Sequence, residues 1–454
     1  MKNLKPNLIA CPASAILVAL LGHADAKADD SWAMPMEKPA WLTEASLTGK
    51  ESYDDNVFLA GASPKYLPAT YSVPAGSVAA LENQSSWVTT ISPKLAVDFS
   101  PLLGKQSPFS AISLSYAPDL VTYHEQSSED YDAHRAMAAV KAKWEAFSIS
   151  ADDTFTFVDG SSTGPTYPGA FFNANYAGTV RERREQIQDK ANVTLQYDWQ
   201  RLFIRPTAAL CLYDLMTDLY NVTGYQNYSS RYDVNGGADL GYRVQPQVAL
   251  TLGYRYGHQY QQQFSFAPYS SPSDYQRILV GMEGKPWKWL NVKILGGPDF
   301  RQYPGNTATH ITPVNDLNPV KFYGEALLVA TLTPKDAVTF KFKEWQWVSS
   351  IGKVPYLESS YDLSYHRKLT DKLGLDLGGR ILSADYTSGN LSTCHRNDLD
   401  YLINAGLGYA FTPHFSVNLG YTLELGRNAV DDLPNEQERE FNRNLISLGA
   451  GVKF

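Results

Sequence analysis

The 454-residue chain carries a net charge of −8, with 44% hydrophobic and 13% aromatic residues, 29 of them Tyr. A mean hydropathy of −0.30 excludes a bundle of apolar membrane helices, and the acidic balance leaves no footprint for nucleic acid. That length allows two or three soluble domains or one large β-barrel, in which half of every strand faces water and the mean hydropathy stays low.

The chain opens on an export signal. Lys2 and Lys5 supply a positive start, residues 13–21 (ASAILVALL) an apolar core too short to span a bilayer as a helix, and Ala24-Asp25-Ala26 a small-x-small cleavage site. The predicted signal peptide is therefore residues 1–26. Leu8-Ile9-Ala10-Cys11 has the form of a lipoprotein box, but the apolar core follows Cys11 instead of preceding it, which argues against lipidation. Residues 27–43 are polar, hold Pro35 and Pro39 and show no period, so they read as a flexible periplasmic extension too short for a plug domain.

From residue 44 to residue 454 the chain reads as alternating strands joined by two kinds of connection. Short ones recur at 101–107, 143–145, 198–201, 244–246, 285–289, 333–336, 369–372 and 412–414. Longer stretches rich in Gly, Ser, Asn and Pro lie between them, at 60–84, 159–180, 214–228, 264–274, 304–319 and 426–440. Eight short turns imply nine hairpins and about 18 strands, with both ends of the barrel on the side of the short turns. The predicted fold class is all-β, a transmembrane antiparallel up-and-down β-barrel.

Alternation is clearest near the end. Phe415, Val417, Leu419, Tyr421, Leu423 and Leu425 share one face, against Ser416, Asn418, Gly420, Thr422 and Glu424. The last stretch repeats it, with Ile446, Leu448, Ala450, Val452 and Phe454 on one parity and Ser447, Gly449, Gly451 and Lys453 on the other. A soluble sheet gives the same pattern, but a terminal aromatic after many such strands fits a barrel embedded in lipid and is similar to the signal read by the barrel-assembly machinery of the outer membrane. Trp144, Trp199, Trp287, Trp289 and Tyr409 fall near strand ends, where an aromatic belt at the membrane surface would stand.

Strand parity sends a set of charges inward. A charge on the lipid face costs about 2–4 kcal/mol at mid-membrane, so the lumen is its favourable location. The predicted pore-lining residues are Arg135, Arg205, Arg255, Lys293, Lys341, Asp376, Arg380, Glu424 and Arg443. Lys94, Asp98, Lys141, Lys190, Lys343 and Asp362 share that parity. Two readings remain: a conduit that sorts solutes by charge, or neutralising pairs that fill the interior.

No cofactor, metal or catalytic site is expected. Asp54-Asp55-Asn56 has the oxygens of a Ca²⁺ site but more simply forms an Asx turn at a strand end, and Asp431-Asp432 reads the same way. Cys394-His395 has no second pair at metal-ligand spacing. Cys211, predicted mid-strand, and Cys394, predicted in a loop, are poorly placed for a disulfide. Ser364 and His366 would suit a hydrolase only on the lipid face, and their parity is inward.

The run Glu51-Ser52-Tyr53-Asp54-Asp55-Asn56-Val57-Phe58 and the step Ile91-Ser92-Pro93 resemble the opening hairpin of the β-barrel porin type 2 family. The resemblance is close over the first hairpin and holds elsewhere only by pattern. It implies a bacterial outer-membrane barrel, associated with exopolysaccharide export in some members, and brings no active site. The expected function is a porin-like channel for small hydrophilic solutes or saccharide, embedded in outer-membrane lipid. The alternative is a structural or polysaccharide-binding barrel without an open pore.

Overall fold

The computed structural model describes residues 38–57, 59, 84–104, 106–160, 185–216, 229–262, 271–304, 320–348, 355–385, 396–430 and 441–454. Eighteen strands follow in chain order: β1 (Leu42–Asp54), β2 (Ser86–Asp98), β3 (Phe109–Tyr123), β4 (Tyr131–Trp144), β5 (Phe147–Asp159), β6 (Gln186–Trp199), β7 (Leu202–Asp214), β8 (Arg231–Gln245) and β9 (Val248–Gln261). They continue as β10 (Ser273–Trp287), β11 (Leu290–Gln302), β12 (Val320–Thr333), β13 (Asp336–Val348), β14 (Pro355–Lys368), β15 (Leu373–Asp385), β16 (Arg396–Ala410), β17 (Phe415–Val430) and β18 (Phe441–Lys453).

Each strand pairs antiparallel with its neighbours in sequence, and β1 pairs with β18 from Ser46 opposite Lys453 to Asp54 opposite Leu445. The sheet therefore closes on itself, leaving no edge, as a transmembrane antiparallel up-and-down barrel. Eighteen strands spaced by about 4.8 Å and tilted by about 40° make a ring roughly 35 Å across at the backbone.

All eight short connections fall where the sequence places them, and together they form one rim, called here the lower rim. The aromatic pairs Trp144–Phe147 and Trp287–Trp289 stand on it, with centroids 5.8 and 5.9 Å apart. The upper connections lie largely outside the described residues. Of the six long stretches predicted, the last begins too early, because β17 continues to Val430 opposite Arg396 of β16. The first strand starts at Leu42, with an irregular register between Leu42 and Glu44. Residues 1–37, which hold the predicted leader and most of the extension, are outside the described range.

The two parities separate as lipid and lumen demand. Leu47, Leu252, Val280, Ile403 and Leu448 are large, apolar and exposed on one face. The other face carries the ion pairs, several joining strands that are not neighbours, such as Arg205 of β7 to Glu283 of β10. Bonds between distant strands can run only through the inside of the ring, which fixes the polar face as the lumen. Asp153 of β5 and Asp189 of β6 depart from this rule and lie on the outer parity near one another.

The interior is not uniform along the axis. Inner side chains near the upper rim are buried: Ser52, Asp54, Val88, Tyr123, Gln186, Arg231, Gln261, Tyr275, Arg301, Trp347, Tyr356, Ala384 and Asp398 all belong to this layer. Lower down, Lys94, Lys141, Asn192, Lys293, Lys341 and Asp376 are exposed. The barrel thus has a packed upper storey and an open lower one.

Candidate functional site: the lumen and its constriction

All nine predicted pore-lining residues take the inner parity, but most are engaged. Arg205 donates to Glu283 at 2.7 Å and stands 4.0 Å from Asp239, which also receives Arg255 at 2.7 Å. Arg443 lies between Asp54, at 2.6 Å, and Glu424, at 3.1 Å. Arg380 meets Asp400 at 3.2 Å, Arg135 pairs with Asp119, and Asp376 meets His366 at 2.7 Å. Lys293 stands in register with Glu283, and Lys341 with Asp362. Both lysines are exposed to the lumen, and neither makes an ion pair within 4.0 Å among the described residues. The inner charges are therefore mostly compensated, leaving few lysines facing free lumen water.

A second set went unnoticed in the sequence. Arg277 and Arg301 both bind Asp299, at 2.8 and 3.0 Å, with all three side chains almost wholly buried. Arg301 also donates to Gln259 at 2.7 Å, and Gln259 to Asp233 at 2.9 Å. The Tyr275 hydroxyl closes the set by donating to Asp233 at 2.7 Å. The signal was available on β11, where Asp299 and Arg301 alternate with Pro298 and Phe300. Burying two guanidiniums on one carboxylate is tolerable only with additional acceptors, which Gln259 and the face of Tyr275, 4.0 Å from Arg277, supply.

The upper storey is drawn together across the ring. Tyr213 on β7 and Trp347 on β13 contact with centroids 6.2 Å apart. Strands six places apart on a round ring of this size would stand roughly 30 Å apart at the backbone. The upper end of the β13–β14 hairpin therefore leans into the lumen. Arg231 of β8 holds it there, donating to the Val348 carbonyl with its guanidinium 5.1 Å from the Trp347 ring. Gln259 of β9 donates to the Gln346 carbonyl at 2.9 Å. Trp345 stacks on Trp347 at 4.4 Å, Lys343 covers Trp345 at 4.0 Å, and Lys190 faces the Tyr213 ring at 5.4 Å. Flat aromatic faces edged by cations thus narrow the passage. Below it, at the lower rim, a cavity of about 330 Å³ is bounded by Phe203, Arg243, Glu283, Lys293 and Leu327.

The remaining sequence candidates resolve as follows. Asp54 forms the expected Asx turn, accepting the Asn56 amide at 3.0 Å, and its carboxylate is taken by Arg443. Asp55 binds the amide and side chain of Asn444, and Asn56 donates to the Asn442 carbonyl. Asp54-Asp55-Asn56 is thus a clasp across the β1–β18 closure. His366 and Ser364 both lie on the lumen face, and His366 is held by Asp376. Cys211 sits in β7 as expected, while Cys394-His395 and Asp431-Asp432 lie outside the described residues.

No family model matches this chain, and no curated protein does. Among solved structures it is similar to Pseudomonas aeruginosa OccK2 (OpdF) in complex with glucuronate, at 11% identity over 90% of this chain and 98% of that one, with a TM-score of 0.41. Pseudomonas aeruginosa OpdK with vanillate stands at 12% identity, 90% and 98% coverage and a TM-score of 0.41. Acinetobacter baumannii OccAB4 stands at 12% identity, 92% and 100% coverage and a TM-score of 0.38. At this distance what those proteins bind does not transfer, and the fold of this chain rests on its own strand ladder.

Proposed function

We propose that the protein is a porin-like channel of the bacterial outer membrane, passing small hydrophilic solutes or saccharide. The observation that carries this reading is the wet lumen inside an apolar outer wall, with the Arg135 side chain 43% and Asp376 65% exposed inside the ring. Such an interior suits water and polar solutes, and the apolar face suits lipid. A role in exopolysaccharide export, export by the general secretion route and assembly through β18 belong to the same proposal.

The second reading, a structural or polysaccharide-binding barrel without an open pore, is favoured by the contacts that cross the upper storey. Single-channel conductance of the refolded protein in a planar bilayer, with and without oligosaccharides, separates the two. The channel reading expects steady current that saccharide interrupts. Silence from protein shown folded by heat-modifiable gel mobility supports the closed barrel. Trp347→Ala, which removes the transluminal contact with Tyr213, is expected to raise conductance under the channel reading.

A further inference from the structure

The ladder between β2 and β3 is interrupted in the middle of the wall. Ile91 pairs with Leu120 and Leu95 with Tyr116, and no pairs form between them. That register sets Pro93 opposite Pro118. At the two ends of the seam, the His124 amide donates to the Trp87 carbonyl and the Phe99 amide to the Ile112 carbonyl. These bonds mark the odd-numbered positions of β2 as those whose backbone points at β3. Pro93 and Pro118 therefore occupy a site where two residues would exchange two hydrogen bonds, and neither has an N–H to give. Consecutive bonded pairs on this seam are separated by four residues, about 13 Å of strand.

Two other seams are interrupted, between Thr194 and Tyr197 of β6 opposite β7, and between Arg277 and Val280 of β10 opposite β11. Each contains one proline, Pro206 or Pro298, and the residue facing it keeps its N–H. On the β2–β3 seam both donors are gone, in a band whose outer residues Leu95, Tyr116 and Leu120 are exposed to the membrane. Backbone left unpaired at membrane depth is costly and is tolerated where it borders a cavity.

The lumen side of the seam is closed by side chains instead. Ser92 donates to Asp119 at 2.5 Å, Asp119 also receives Arg135, and Lys94 reaches Glu44 at 2.6 Å. Beside this polar latch stand Ala96, Ala117 and Met137, the last 54% exposed, an apolar patch on the lumen face. A polar head and an apolar tail each find a counterpart within one short stretch of wall.

We propose that the β2–β3 seam at Pro93 and Pro118 is a lateral portal through which single-chain amphiphiles pass between the lumen and the membrane. The proposal rests on the membrane-spanning reading of the barrel. Opening needs no backbone hydrogen bond to break at the seam's centre, only the Ser92–Asp119 contact.

The test uses the full chain in liposomes, with its native cysteines replaced by serine and a bimane fluorophore at Met137→Cys. The quencher is doxyl-stearate, a spin-labelled single-chain amphiphile carried in the bilayer. Thr339→Cys, an inner position on β13, serves as the control for quenching through the wall, and Leu363→Cys reports the lipid face. The portal predicts stronger quenching at position 137 than at 339, and its loss to the 339 level in the Pro93→Val/Pro118→Val variant, which restores both donors. Each single substitution restores one donor and is expected to give an intermediate value, which keeps the test available should the double variant misfold. Equal quenching at 137 and 339 in the native background overturns the proposal, as does quenching at 137 that persists in the folded double variant. An unquenched Leu363 probe refutes the membrane embedding itself, a different failure.

Discussion

Arg277 and Arg135 are both inward arginines paired to an aspartate, and they sit in opposite environments. The Arg277 side chain is 4% exposed and the Arg135 side chain 43%. Around Arg277, at the upper ends of β8 to β11, the interior is filled with side chains that satisfy one another, and the charges there act as structure. On the side of β2 to β5 the same chemistry faces water and acts as surface. An ion pair has no fixed value; its environment decides whether it props up the wall or merely lines it.

That contrast can be broken by removing one aspartate from each side. Asp299→Ala leaves Arg277 and Arg301 buried without their shared carboxylate, and a destabilisation of about 3–5 kcal/mol is expected in urea unfolding of the refolded barrel. Asp119→Ala leaves Arg135 free to solvate in the lumen, and a change of about 1 kcal/mol or less is expected from the same measurement. If the two substitutions cost the same, burial is not what separates the walls. The smallest effect is expected outside the membrane, at Glu125, which accepts bonds from the Ser86 hydroxyl at 2.8 Å and the Trp87 amide at 2.7 Å. The Ser86 bond, with the Trp87 amide beside it, holds this carboxyl below its usual range. Its folded pKa lies below the unfolded value, so its contribution is complete above the ordinary glutamate range and fades as the pH falls through the lowered pKa. Protection of the Trp87 amide against exchange, relative to its intrinsic rate, should fall on acidification through and below the ordinary glutamate range, and Glu125→Gln should remove that dependence.

The same pair of arginines shows how far the sequence could be read. A period of two is enough to assign Arg135, Arg205, Arg255 and Arg443 to a face. Turn chemistry at positions such as 334–335 and 369–372 located the lower rim and hence the strand number. Parity cannot tell a buried inner residue from an exposed one, since that depends on what reaches it across the lumen. Trp347 of β13 lies far in sequence from Tyr213 and Arg231 on β7 and β8, and no local pattern announces that it meets them. Asp54-Asp55-Asn56 was visible as an unusual run, but its partners Asn442, Arg443 and Asn444 lie almost the whole chain away.

The closure between β1 and β18 also sets the order of events by which the barrel forms. Ser46 meets Lys453 across about 400 residues of intervening chain, so this ladder is the most distant pairing in the molecule and the slowest to find. Until it forms, β1 and β18 each present a row of unpaired N–H and C=O groups, a template on which another strand could add. The Arg443–Asp54 clasp then acts as the catch on the finished ring.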